Sequence, residues 1–160
     1  MTPHLEEPEI ISAFMKALNM ALKEKDTVIQ MAERFISVRR DTTALGMERD
    51  ELREQISKCV TAISGNSTAV FDRIQYKAEN EDLYRQHEGI NTRYDTVLGE
   101  LRQMKSDVAA GEEFLRYFKE LSEPIKDFNE LYWDKLLDKM IVDKGKKLTA
   151  VFIGGYSVNM

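Results

Sequence analysis

Chemistry in a protein starts from nucleophiles, histidines and closely spaced acids, and this chain offers few of them. It has one cysteine, Cys59, and two histidines, His4 and His87, far apart in sequence. A single cysteine makes neither an internal disulfide nor a cysteine-rich zinc site, which points to a reducing, intracellular setting. There is no phosphate-cradling glycine loop, no H-E-x-x-H and no nucleophile elbow. Acids are abundant but stand four residues from bases, as in Glu54 and Lys58, Glu81 and Arg85, Glu112 and Arg116. That is the spacing of weak ion pairs on a helix surface rather than of a catalytic dyad. The expectation is a chain without catalytic, metal or cofactor residues and without a small-molecule substrate. One cluster stands apart: Lys144, Lys146 and Lys147. Three lysines on a turn either solvate a hairpin or touch phosphates, positioning a nucleic acid without reading its bases.

Composition narrows the scaffold that holds these residues. Of 160 residues, 42% are apolar and 32% charged, with only three prolines and eight glycines. Such a balance favours long helices over a sheet-rich fold. No apolar run approaches the roughly 18 residues that a membrane span needs, and the start shows no signal-peptide pattern. The net charge is -5, and residues 41–121, with 16 acids against 11 bases, account for all of it. Phosphate repulsion would oppose laying that acidic middle on a nucleic acid.

The strongest pattern runs through Leu83, His87, Ile90, Tyr94, Val97, Leu101, Met104 and Val108, with gaps alternating between four and three. This is an a/d seam of period 3.5, and a helix with one narrow apolar stripe needs a partner. Asn80 and His87 fall on the seam as polar residues that set register. Upstream, Leu45, Leu52, Ile56, Cys59 and Ile63 mark a second stripe, on which Cys59 reads as a small apolar filler. Gly65 to Thr68 predict a break between the two, and Asp72 with Gln75 a capping box that opens the second arm. Two arms joined by a short turn must lie antiparallel. Val70 and Phe71, at the tip, either fold back as a staple or stay exposed as a docking knob, with Tyr76 nearby.

On either side lies a base. Glu6, Glu7 and Pro8 predict a helix start, and Ile11, Phe14, Leu18, Leu22, Ile29, Ala32 and Ile36 predict one amphipathic helix to about Arg40. Asp41-Thr42-Thr43 marks a kink or restart. After Pro124, Asp127 and Glu130 predict a capped short helix with Phe128, Leu131, Tyr132, Leu136 and Leu137. Residues 140–142, 148–153 and 156–158 then read as three short strands that need a helix against one face. The predicted fold is mainly α: a long antiparallel helical hairpin on a small α+β base ending in a β-meander. Its parts are an N-terminal helix (1–40), a coiled-coil hairpin (41–121, tip near 65–72) and a helix plus meander (122–160).

In this order, IISAFMKALN (10–19), DTTAL (41–45), NSTAVFDRIQY (66–76) and FNELYWDKLLDKMIVDKGKKLTAVF (128–152) resemble the C-terminal region of large serine recombinases, the integrases and resolvases of phages and mobile elements. The stretch Trp133 to Val142 is the most specific part, and the likeness covers essentially the whole chain. The resemblance implies a fragment of a site-specific DNA recombinase in which an antiparallel coiled coil is inserted into a zinc-ribbon DNA-binding domain. It implies that the catalytic serine domain and the zinc cysteines lie upstream of Thr2, so the parent would be the enzyme and this fragment not. The hairpin would join recombinase subunits in synapsis, through Val70, Phe71 and Tyr76 at the tip. Lys144, Lys146 and Lys147 would be DNA-contact residues, and the setting would be bacterial or phage-encoded cytoplasm, at the nucleoid when DNA is bound. The competing expectation is an autonomous coiled-coil adaptor for an unrelated protein. A sheet at the base favours the recombinase, because a simple adaptor rod has no need of one.

Overall fold

The computed structural model describes residues 4–68 and 73–160, with side chains outside 66–77 and 79. Among the described residues five helices come first, α1 (Glu7–Lys23), α2 (Lys25–Arg40), α3 (Thr43–Thr68), α4 (Arg73–Glu120) and α5 (Glu130–Leu136). Three strands follow, β1 (Leu137–Val142), β2 (Leu148–Phe152) and β3 (Ser157–Asn159), paired antiparallel in the order β1-β2-β3. The fold is thus mainly α, with a helical hairpin and a small three-stranded meander.

The chain divides into two compact units: residues 41–104, and a base made of residues 1–40 with 105–160. The hairpin unit stops earlier along α4 than the expected boundary at 121. Physically, Phe114 and Phe118 of α4 are fully buried in the core of the base. They stack at 5.1 Å.

Within the base, α1 begins with Pro8 in its first turn and the Glu9 carboxylate accepting from the Glu6 amide at 2.8 Å. Phe14, Ala17, Leu18, Ala21 and Leu22 form its buried stripe, the three-and-four spacing of a helix face against a core. That face covers β2 and β3, where Leu148, Ala150, Phe152 and Val158 are buried. The single helix expected over 9–40 is two helices. Glu24 leaves helical geometry at φ -102°, ψ 33°. The seven-residue step between Leu22 and Ile29 hides that break, and beyond it Val28 rather than Ile29 is fully buried. Lys25 fastens the corner by donating to the carbonyls of Lys119 (2.7 Å) and Leu121 (2.5 Å), at the end of α4. A cation on the last carbonyls of a helix suits both their unmet hydrogen bonds and the macrodipole.

Other boundaries also differ. The helix α3 runs through Gly65 to Thr68, because one glycine costs a helix only about 1 kcal/mol relative to alanine. Among the described residues only Lys146, Gly154 and Gly155 have left-handed backbone, so Gly65 is no C-cap. The restart at Asp41 is real: Asp41 Oδ1 accepts from the Thr43 amide at 3.2 Å where α3 begins. The Asp72–Gln75 capping box lies outside the described residues. Before α5 the cap is Asn129, which accepts from the Leu131 amide at 2.9 Å, not Asp127. Phe128 therefore precedes the helix and Leu137 already belongs to β1.

Two glycines permit close approach inside the base. A Cβ on Gly111 would lie 2.7 Å from Ile36 Cγ1, and one on Gly154, at φ +97°, would lie 2.9 Å from Ala32 Cα. Nothing lies within 4 Å of the corresponding position on Gly99. Gly99→Ala should therefore stabilise the protein by about 1 kcal/mol through helix propensity. Gly111→Ala should lose that gain to overpacking of about 1–3 kcal/mol and come out neutral to destabilising. Urea unfolding of the two variants measures the difference.

Candidate functional site

The hairpin unit builds its seam from the predicted residues. On α3, Leu52 is buried and Leu45, Ile56, Cys59 and Ile63 are half-buried. On α4, Val97 is fully buried, and Leu83, His87, Ile90, Tyr94, Leu101 and Met104 are half-buried; Val108, also half-buried, already belongs to the base. Arg93 holds Glu48 with two hydrogen bonds, Nε to Oε1 at 2.6 Å and Nη2 to Oε2 at 2.9 Å. Glu48 precedes the end of α3 by as many residues as Arg93 follows the start of α4, so the two helices double back on each other. Arg53 adds a donation to Tyr94 Oη at 3.4 Å. This fork-on-carboxylate geometry fixes register more than it adds stability, because the groups are exposed.

Polar seam residues are also placed. Asn80 is 5% exposed, and its Oδ1 has no hydrogen-bond partner among the described residues. Asn91 Nδ2 lies 3.2 Å from the His87 ring nitrogens. Of the expected four-residue pairs, Glu54–Lys58 forms at 2.9 Å. The other two are replaced: Arg85 reaches Asp82 and Arg116 reaches Glu113, each one turn away by three residues, while Glu112 meets Arg40. Side chains tilted toward the helix N-terminus make three- and four-residue partners near equivalents, so spacing alone does not choose between them.

The tip residues Val70 and Phe71 lie outside the described residues, and so does the side chain of Tyr76. The lysine cluster is fully described. It occupies the turn from β1 to β2, organised by Asp143, whose Oδ1 accepts from the amides of Gly145 (2.8 Å) and Lys147 (2.9 Å). The Lys146 amide donates to the Asp143 carbonyl at 3.1 Å, and Lys146 itself is left-handed at φ 62°. Lys144, Lys146 and Lys147 are all exposed. None forms an ion pair among the described residues. The turn therefore presents three ammonium groups on a backbone braced by one carboxylate, a chemistry that suits phosphate oxygens. Tyr76 and these lysines belong to different units.

Sequence reading missed Asn19. Its side chain donates to the carbonyls of Met15 and Ile125, both at 3.0 Å, and accepts from the Ile125 amide at 2.7 Å, pinning the loop after α4 onto α1. An asparagine inside a helix gives no local sign of a partner so far along the chain. Among the described residues, no group of three or more His, Cys, Asp or Glu side chains is arranged to hold a metal. Nor is any described helix long and apolar enough to cross a membrane. No family model, curated protein or solved structure matches the chain.

The carboxylates at the start of α3 and along it carry a pH signature. Hydrogen bonds hold the carboxyls of Asp41 (from Thr43), Glu48 (from Arg93), Asp50 (from Arg49) and Glu54 (from Lys58) below their ordinary values. Depressed folded values mean that their contribution is complete above the unfolded carboxylate range of about 4 and is lost as pH falls through the lowered values. Helicity should thus decline on acidification into that window, and Glu48→Gln should make the decline shallower; circular dichroism against pH reads both.

Proposed function

We propose that the chain is the coiled-coil-bearing C-terminal part of a site-specific DNA recombinase of the large serine type, with no reaction chemistry of its own. In this reading the hairpin joins recombinase subunits during synapsis, and the base, with the turn at Lys144, Lys146 and Lys147, contributes to DNA binding. The catalytic serine and the zinc ribbon of such a recombinase would be supplied by its other parts. Its place would be the bacterial or phage-infected cytoplasm.

One observation carries the proposal: an antiparallel helical hairpin, residues 41–104, interrupts a base assembled from the residues on both sides of it. The resemblance in 10–19, 41–45, 66–76 and 128–152 implies such an insertion. Charge supports the division of labour, since the acidic middle suits protein contacts and the free lysines of the base suit phosphates.

A second reading, an autonomous adaptor for an unrelated protein, is favoured by exposed apolar side chains on the hairpin helices, Met47 (69%), Val60 (48%) and Tyr84 (57%). The two separate by experiment. Sedimentation equilibrium should show the chain self-associating. Val70→Asp/Phe71→Asp should weaken that association at least about tenfold, since burying one large apolar side chain contributes about 1.5–3 kcal/mol. Equal monomer fractions at every concentration would remove subunit joining and leave the adaptor. In a low-salt band shift, changing all three turn lysines to Ala should weaken DNA binding and flatten its salt slope by about 1 for each lysine on a phosphate. Unchanged affinity would leave the lysines as solvation.

A further inference from the structure

A cavity of about 530 Å³ opens in the base between the first turns of α1 and the helix α5. Its floor is apolar, with Ile10, Ile11, Phe128 and Trp133. The aromatic part is held in place by edge-to-face packing. Trp133 meets the fully buried Phe14 at 5.1 Å and Phe128 at 6.5 Å, and Phe14 meets Phe128 at 6.1 Å. Phe128 is still 36% exposed.

The rim has one sign of charge. Glu7, Glu130 and Asp134 line it, and among the described residues no basic one does. All three are exposed. None is paired with a cation among the described residues. Three carboxylates around one opening repel each other and focus a negative potential into it. Ring faces beside them attract cations as well. An apolar floor under an uncompensated acidic rim is therefore complementary to a group that is both greasy and positive. It is the opposite of a surface for nucleic acid.

We propose that this groove docks a basic apolar segment of a partner polypeptide, an arginine or lysine next to a bulky apolar residue. The apolar side chain lies on Ile10, Ile11 and Trp133, and the cation sits against Glu130 and Asp134. The cavity lies within the range of ligand sites, with room for a side chain and its neighbour. Nothing in this assignment depends on the recombination reading.

Trp133 is the only tryptophan of the chain, so its fluorescence reports on the groove directly. Titrating the whole chain with the peptide acetyl-Arg-Leu-Arg-amide should give a saturable change that weakens with added salt. The double variant Glu130→Lys/Asp134→Lys, with unchanged far-ultraviolet circular dichroism, should bind at least about tenfold more weakly. Acetyl-Arg-Gly-Arg-amide should also bind more weakly, and acetyl-Glu-Leu-Glu-amide should not saturate. Absence of saturation with the basic peptide, an equal response to the acidic one, or indifference to the charge reversal overturns the proposal. So does a Trp133 signal that changes with protein concentration alone, which would make a second copy of the chain the occupant.

Discussion

Residues from the two ends of the chain share one core, and that constraint organises the rest. Phe14, Leu18 and Ala32 from the first forty residues are buried with Phe114, Phe118, Leu136 and Phe152 from the last third. Each large side chain removed from water contributes about 1.5–3 kcal/mol. The ion pairs around them, Glu33 with Lys119 and Glu113 with Lys135, are partly or fully exposed, and pairs of that kind contribute about 1 kcal/mol or less. Hydrophobic burial therefore decides that the ends meet, and charge trims how they meet. Small residues set the distance of approach, with Gly154 over Ala32 and Gly111 over Ile36.

The hairpin works on different physics. Its stripe is narrow, and only Leu52, Asn80 and Val97 among its described residues are buried. Specificity then falls to polar groups. The Arg93–Glu48 fork favours one alignment of α3 on α4, and the buried Asn80 does so at some cost in stability, the known use of a lone polar residue in a seam. Among the described residues the Asn80 Oδ1 has no partner, and a buried carbonyl left so costs about 1–3 kcal/mol.

Much of this was legible in sequence because it depends on period. The stripe from Leu83 to Val108 survives intact, and the three strands appear where alternation and turn residues mark them. What was not legible depends on tertiary context or on choices between near-equal neighbours. Gly65 carries the sign of a helix end, yet α3 continues through it, since one glycine costs a helix only about 1 kcal/mol. The break at Glu24 is masked by Leu22 and Ile29, which remain in phase across it. Asn129 outcompetes Asp127 as a cap within two residues of it. For the sites, the lysine turn could be read from its residues, whereas its brace by Asp143 could not. The groove at Trp133 needed the fold, since Glu7 and Asp134 are far apart in sequence yet line one cavity.

Arg39 and Asp107 are bonded at 2.9 Å, both of them in the base. They stand just outside the interval 41–104, one before it and one after, so the chain leaves and returns through adjacent doors. An inserted segment with neighbouring ends can lengthen, shorten or be exchanged without re-laying the core that receives it. The length and sequence of this interval can thus vary almost independently of the core that receives it, and grafting a foreign hairpin between Arg40 and Lys105 is the engineering form of the same freedom.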